Sequence, residues 1–296
     1  MNTKKIITHS GSAHKDDFLA CCVLLASHPV PIERGEPTSK DLHDERIYVL
    51  DIGHEHKPEL LNFDHHQFSK NSSPTCSLSL VLKHLGLYED AKDFCEWLEP
   101  AEWLDCRGPK ETAEWLGTPH DVITKLNSPI DMTLLRRFAA ETWHEPGSAI
   151  WEIMRMIGED LINYIQCLTQ RLIFIEQHAE LWPAELQNEN NSKEFLFLPR
   201  TSPLPAEPSM GLGKFIQRKG LDKQVIGLVY PDRRGEGYGL SRHNDCLSLD
   251  FTRVANESDV HFAHARGFVA KTSALEKDRL KELMQMALLK LDSKPS

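Results

Sequence analysis

Short apolar runs alternate with longer helical patterns over the first half of the chain. Lys4–Thr8 and Ile47–Leu50 have the length and the apolar character of buried strands. The helical patterns around them are Phe18–Ser27, Ser77–Leu87, Ala91–Leu98 and Met132–Thr142. Strands that alternate with helices predict a parallel sheet covered by helices on both faces.

The second half has a different pattern. One long amphipathic helix is predicted from Gly147 to about Leu181, because prolines flank this segment. The strand-like runs that follow are Glu194–Leu198, Val225–Tyr230, Gly237–Arg242, Leu247–Val254 and Val260–His264. A last helix is predicted at Ala274–Leu291. Strands closed by a helix favour a smaller α+β domain with a largely antiparallel sheet.

A polar segment separates the two patterns. Gln187–Lys193 is rich in Asn, and Pro203–Ser209 contains three prolines. Linkers between domains often have such a composition. We therefore predict an α/β protein of two domains, residues 1–186 with the parallel sheet and residues 187–296 with the α+β fold.

Composition and charge narrow the class of protein. The hydrophobic fraction is 40% and the charged fraction 26%, which is typical of a globular chain. No apolar run approaches the roughly 18 residues that cross a bilayer, and no signal-peptide core is present, so we expect a cytoplasmic protein. The seven irregularly spaced cysteines favour free thiols. The net charge of -10 argues against a duplex nucleic-acid binder.

Four polar clusters lie within the first 105 residues or so. His9–Asp17 follows the first predicted strand, and Asp51-Ile52-Gly53 follows the second. The other two are Asp64-His65-His66 and the single residue Asp105. Each alone is typical of a turn or a helix cap. Together they offer imidazoles and carboxylates, a mixture that suits Mn²⁺, Zn²⁺ or Fe²⁺, and a convergent group of carboxylates implies a cation.

These clusters resemble the sequence motifs of a known superfamily and of one family within it. Asp64-His65-His66 matches the signature of the DHH phosphoesterase superfamily, which includes RecJ-type exonucleases, oligoribonucleases and family II inorganic pyrophosphatases. Thr8–Asp17 is similar to the opening motif of the Myg family (melanocyte proliferating gene). Asp51-Ile52-Gly53 and Phe262–Phe268 resemble two further motifs of that family. The Myg family is described as metal-dependent hydrolases, with exonuclease activity on RNA for some members.

The resemblance implies two divalent metal ions, with Mn²⁺ favoured and Zn²⁺, Fe²⁺ or Mg²⁺ as alternatives. The implied ligands are His9, His14 and Asp51 for one ion and Asp16, Asp51, His65 and Asp105 for the other. Asp64 would lie behind a ligand imidazole and accept its hydrogen bond. Asp51 and His66 would be the catalytic residues, with His66 contacting the phosphate or protonating the leaving oxygen. A purely structural role for His66 is the alternative.

The C-terminal domain is expected to contact the substrate. The implied residues are His264, Arg266, Gly267 and Lys271. Arg266 could hold a phosphate with two hydrogen bonds, and the neighbouring glycine would let the chain approach a ligand closely. The Gly-Gly-Asn-Lys-Thr turn of the family is shortened here to Val269–Thr272.

The expected function is hydrolysis of phosphodiester bonds by a metal-dependent 3'-5' exonuclease acting on single-stranded or short RNA or DNA. Two alternatives stay open: a small-molecule phosphohydrolase acting on pyrophosphate or a dinucleotide, and a non-catalytic, metal-dependent nucleotide sensor. The expected partner is a short nucleic acid or a nucleotide, without a membrane. The oligomeric state, including a homodimer, stays open.

Overall fold

The computed structural model describes residues 3–125, 128–185 and 193–289. The chain divides into two compact units, Met1–Cys167 and Leu168–Ser296. The domain boundary expected after residue 186 stays a prediction, and residues 186–192, which hold most of the Asn-rich segment, lie outside the described residues. In the described ranges no helix has the length and apolar character needed to cross a membrane.

The first unit contains a largely parallel sheet. Its strands are β1 (Lys5–Thr8), β2 (Ile32–Arg34), β3 (Ile47–Leu50), β4 (His56–Lys57), β5 (Asn62–Phe63) and β6 (Trp143–His144). The order across the sheet is β4-β5-β3-β1-β2-β6. The four central strands are parallel, and β4 and β6 add antiparallel edges. The predicted parallel sheet is confirmed.

Helices accompany this sheet. They are α1 (Lys15–Leu25), α2 (Ser77–His84), α3 (Tyr88–Phe94), α4 (Leu98–Trp115), α5 (His120–Lys125), α6 (Pro129–Ala139) and α7 (Ala149–His178), whose C-terminal part enters the second unit. α1 packs against α2, α4, α6 and β3, and its residues Ala20–Leu24 are fully buried. The burial of Cys21 and Cys22 as free thiols follows the sequence prediction.

Parallel strands end side by side at one edge of this sheet. Ile6, Ile7, Val49 and Leu50 are all buried, because a parallel strand covered on both faces has no polar side. Thr8 of β1 pairs in register with Leu50 of β3. The polar residues that follow these two strands therefore emerge next to each other, as expected for ligand sites in open α/β sheets.

The second unit contains a mostly antiparallel sheet. Its strands are β7 (Glu180–Ala184), β8 (Lys193–Phe197), β9 (Val225–Pro231), β10 (Tyr238–Arg242), β11 (Val260–Ala263) and β12 (Val269–Thr272), in the order β11-β12-β10-β9-β8-β7. Among the described strands of this second sheet, only the β8–β9 pair is parallel. Helix α9 (Lys277–Met286) joins one apolar core, and helix α8 (Leu212–Arg218) joins another with the end of α7. The predicted α+β character is confirmed.

Three predicted elements were wrong in detail. The long helix ends at His178, and Glu180–Ala184 forms a strand instead, since Trp182 stacks on Phe197 at a ring-centroid distance of 4.3 Å. Leu247–Val254 is not a strand, because Asp250 accepts the Thr252 N–H and starts a 3₁₀ turn at Phe251–Val254. The pattern at Ala91–Leu98 is divided between α3 and α4.

Candidate metal centre

The ends of three neighbouring parallel strands supply the centre of the site. His9 follows β1, Asp51 follows β3, and His65 lies two residues after β5. Asp51 is buried and has a positive φ of 58°, a conformation that is uncommon outside glycine. Residues held in such conformations cluster at functional sites.

Asp51, His65 and Asp105 form the closest group. His65 Nε2 lies 3.0 Å from Asp51 Oδ1 and 2.8 Å from Asp105 Oδ2. Burial lowers the pKa of His65, but the neighbouring carboxylates of Asp105 and Asp51 prevail and raise this pKa to about 12. Asp105 reaches the group from α4, shortly before the helix is interrupted at Gly108, where φ is 75° and ψ 172°. A cation bound beside His65 would neutralise the two carboxylates.

Asp16 lies in the first turn of α1 and is almost completely buried. Neither of its carboxylate oxygens has a hydrogen-bond partner among the described residues. Burial raises the pKa of Asp16 well above its usual value, and the carboxylates of Asp51 and Asp105 raise it further. A buried carboxylate without donors is costly unless a cation or a proton neutralises it. These oxygens fit a divalent cation.

His9 and His14 line the loop between β1 and α1. His9 Nε2 lies 3.3 Å from Asp17 Oδ2 and 3.5 Å from Asp51 Oδ2. The neighbouring carboxylate of Asp17 raises the pKa of His9 to about 9 against the effect of burial. His14 is exposed, its ring centroid is 5.5 Å from that of His9, and its Nδ1 is 3.9 Å from Asp105 Oδ1. Both imidazoles thus place a ring nitrogen close to a carboxylate oxygen of the site.

A buried arginine holds the loop between β1 and α1 through hydrogen bonds to its backbone. Arg34, at the end of β2, donates to the carbonyl oxygens of Gly11 at 3.1 Å and Ser12 at 3.4 Å. Its guanidinium also lies 3.9 Å from Asp17 Oδ2. Asp17 in turn accepts the backbone N–H of His14 at 2.7 Å. The loop that carries the two histidines is therefore fixed by Arg34 and Asp17.

Asp64 has a different partner from the expected one. Its buried carboxylate accepts hydrogen bonds from the backbone N–H of His54 at 2.7 Å, the N–H of His66 at 2.9 Å and His66 Nδ1 at 2.7 Å. Burial tends to raise the pKa of Asp64, but the hydrogen bonds from His66 and His54 prevail and lower it. Asp64 thus orients His66 and not the ligand candidate His65. The Nε2 atom of the half-exposed His66 ring is left available to a ligand.

The structure brings together the same residues that the resemblance assigns to two ions. One group comprises His9, His14 and Asp51, and another comprises Asp16, Asp51, His65 and Asp105. Within each group, one potential ligand atom per residue lies within 4.8 Å of every other. Asp51 belongs to both groups. A mixture of carboxylates and imidazoles suits Mn²⁺, Zn²⁺ or Fe²⁺, and that ions bind there stays a prediction.

The candidate substrate residues of the second unit lie around β12. Arg266 donates its backbone N–H to His264 Nδ1 at 3.1 Å. Gly267 has a φ of 68°, and a Cβ there would lie 2.0 Å from an Asp250 oxygen. Lys271 Nζ lies 2.7 Å from Asp232 Oδ1. Gly267 therefore has a packing reason to be glycine, Lys271 already has an anionic partner, and the substrate role of all four residues stays a prediction.

Three residues of the metal centre were not identified from the sequence. Asp17 carries a local signal, because it stands three residues after His14 at a helix start, where a carboxylate caps the backbone. Arg34 and Cys106 carry none, since an arginine after a strand and a cysteine in a helix are both ordinary. Their roles depend on contacts with residues far away in the sequence.

Comparison with known proteins matched part of this chain to one family model, and solved structures were also found. Residues 5–88 match the family model MYG1_exonuc, described as "Uncharacterised protein family (UPF0160)". No curated protein matched the chain. A solved structure titled a member of the s1p family of ribosomal proteins, DHH domain, is 12% identical and covers 96% of this chain and 85% of its own, but its TM-score of 0.33 does not establish a shared fold. The resemblance to the Myg family is therefore confirmed by the family model, over residues 5–88 of this chain.

Proposed function

We propose that this protein is a metal-dependent phosphodiesterase of the DHH type, acting as a 3'-5' exonuclease on single-stranded or short RNA or DNA. The observation that carries the proposal is the pair of ligand groups that share Asp51. The family label, which names an exonuclease, supports the same class of reaction. The acidic net charge of -10 suits a short substrate better than a long duplex.

Two divalent ions, with Mn²⁺ preferred, would be held by the two ligand groups of the metal centre. Such ions supply the positive charge that activates a water molecule and neutralises phosphate oxygens. The residues fit them, because Asp16 offers two buried oxygens without donors and the Nδ1 atom of His9 already lies 2.8 Å from the carbonyl oxygen of Ser10. That contact leaves His9 Nε2 directed at Asp51.

His66 is the proposed proton donor to the leaving oxygen. Its Nδ1 contacts Asp64, which fixes the ring and leaves Nε2 available to the substrate. The ring of His54 lies beside it, at a centroid distance of 6.1 Å, and forms the rim of the same site. Arg266, His264, Gly267 and Lys271 are proposed to bind substrate within the second unit.

A small-molecule phosphohydrolase is the second candidate, because the acidic charge also suits pyrophosphate or a dinucleotide. Rates on a single-stranded oligonucleotide, a dinucleotide and pyrophosphate separate the two. Cleavage of pyrophosphate alone would reject the exonuclease assignment.

The proposed function is tested with Mn²⁺ and a single-stranded RNA, comparing wild type with Asp51→Ala and His65→Ala. Both variants are expected to lose activity while they stay folded. Matched controls are Asp44→Ala and His43→Ala, which remove an Asp and a His from the same unit outside the metal centre. A wild-type protein that binds Mn²⁺ and a nucleotide without turnover would indicate a sensor, and one that binds no metal would overturn the proposal.

A further inference from the structure

Cys106 lies directly behind the ligand candidate His65. It follows Asp105 in α4, two residues before the interruption at Gly108. Its Sγ is 3.8 Å from His65 Nδ1. The other ring nitrogen of His65, Nε2, faces Asp51 and Asp105. The thiol therefore contacts the ring nitrogen opposite the one that faces the two carboxylates.

The direction of this hydrogen bond follows from the single proton of a thiol. Cys106 donates its S–H to the carbonyl oxygen of Thr75 at 2.8 Å, and a carbonyl can only accept. The backbone N–H of Thr75 donates to the same sulfur at 3.2 Å. Because the thiol proton is already used, the sulfur faces His65 as an acceptor. His65 Nδ1 must then be the donor.

We infer that Cys106 is a positioning residue that holds His65 with its proton on Nδ1 and its Nε2 lone pair directed at the ion. This inference rests on the proposed metal centre. A ligand histidine normally donates its second N–H to a carboxylate, a backbone carbonyl or a water, and loss of that partner costs about 10- to 100-fold in metal affinity or activity. Here the thiol of Cys106 takes that place, and Thr75 fixes the thiol.

Mn²⁺ titration of the full chain by calorimetry tests the inference. Cys106→Ala is expected to raise the Kd for Mn²⁺ by about 10-fold or more. Cys106→Ser is expected to restore a Kd near that of wild type, because a hydroxyl can also donate to Thr75 and accept from His65. Cys95→Ala, which truncates a different thiol in the same unit, is expected to leave the Kd unchanged. If Cys106→Ala does not fold, Cys106→Val replaces it with an apolar side chain of similar volume.

A second readout does not depend on affinity. In Zn²⁺-loaded, ¹⁵N-histidine-labelled protein, the Nδ1–H proton of His65 is expected to be visible in wild type and Cys106→Ser and to exchange with solvent in Cys106→Ala. A folded Cys106→Ala with an unchanged Kd would overturn the role of Cys106 and leave the metal centre intact. A wild-type protein that binds no Mn²⁺ would overturn both.

Discussion

In the first unit, a single buried carboxylate can lower the stability of the metal-free protein and favour the binding of a cation. Asp16 is buried with two oxygens that have no hydrogen-bond donor, and the carboxylates of Asp51 and Asp105 lie nearby. Such an arrangement destabilises the metal-free protein and becomes favourable only when a cation is bound. Active sites commonly show this opposition between stability and function.

We expect Asp16→Asn to have opposite effects with and without metal. Without metal, removal of the buried charge is expected to raise the free energy of unfolding by about 1 kcal/mol or more. The affinity for Mn²⁺ is expected to fall roughly 10-fold or more, because a ligand oxygen loses its charge. Thermal unfolding in EDTA and in excess Mn²⁺ measures both effects. Asp278→Asn, at a fully exposed position, serves as the control, and a variant less stable in EDTA would contradict the prediction.

The pKa of Asp232, in the second unit, is shifted in the opposite direction from that of Asp16. Burial tends to raise its pKa, but hydrogen bonds from Lys271 Nζ and the Arg234 N–H prevail and lower it. A lowered pKa in the folded state adds stability that is present above the unfolded pKa of about 4 and is lost as the pH falls through the folded value.

Asp232→Asn is therefore expected to be destabilising by about 1 to 3 kcal/mol at pH 7, since Lys271 loses its anionic partner. The difference from wild type in the free energy of unfolding is expected to shrink as the pH falls below about 4. Urea unfolding at several pH values, followed by a probe in the second unit, measures this difference in the free energy of unfolding. A pH-independent difference would show that the ion pair with Lys271 does not contribute.

At the scale of elements, helices α1 and α7 make one close backbone contact in the first unit. A Cβ added at Gly158 of α7 would lie 1.8 Å from the carbonyl oxygen of Cys22 in α1. Because the clash involves backbone, neither helix can relieve it by a side-chain rotation. α1 also carries Asp16 and Asp17, so a shift of α1 would disturb the metal centre.

We expect Gly158→Ala to destabilise the protein by about 1 to 3 kcal/mol or more. Gly213→Ala is the matched control, because Gly213 is also helical and has open space around its Cβ position. That substitution is expected to be neutral or to stabilise by about 0.4 to 1 kcal/mol through the unfolded state. Chemical denaturation of both variants measures the sign of each change in the free energy of unfolding. Equal effects would show that the α1–α7 contact can relax.

At the scale of the whole molecule, the groups of potential ligands found among the described residues all belong to the first unit, between residues 9 and 106. Addition of Mn²⁺ is therefore expected to increase hydrogen-exchange protection at the start of α1, after β3 and in α4, because bound ions stabilise the folded segments that hold them. The amides of β8, β9 and β10 are expected to change little. EDTA reverses the effect, and equal protection of both units would contradict the prediction.

Local patterns in the sequence were sufficient to predict whether most elements are helices or strands. They were also sufficient to predict which residues make up the candidate metal centre. Ile6-Ile7 and Val49-Leu50 read as buried strands, because burial on both faces requires continuous apolar residues. His9 and Asp51 could be expected to meet, because parallel strands place their carboxyl ends at one edge. The 3₁₀ turn at Phe251–Val254 could not be distinguished from a strand, since both bury a short apolar run.

The sequence by itself determined which chemical groups are available: imidazoles and carboxylates after strands, in an order that resembles one family. Only the tertiary structure decided their partners. Asp64 pairs with His66, and Cys106 pairs with both Thr75 and His65. Residue type and spacing report short-range preferences, whereas a contact between α4 and a loop some 30 to 40 residues earlier depends on how the helices pack on the sheet.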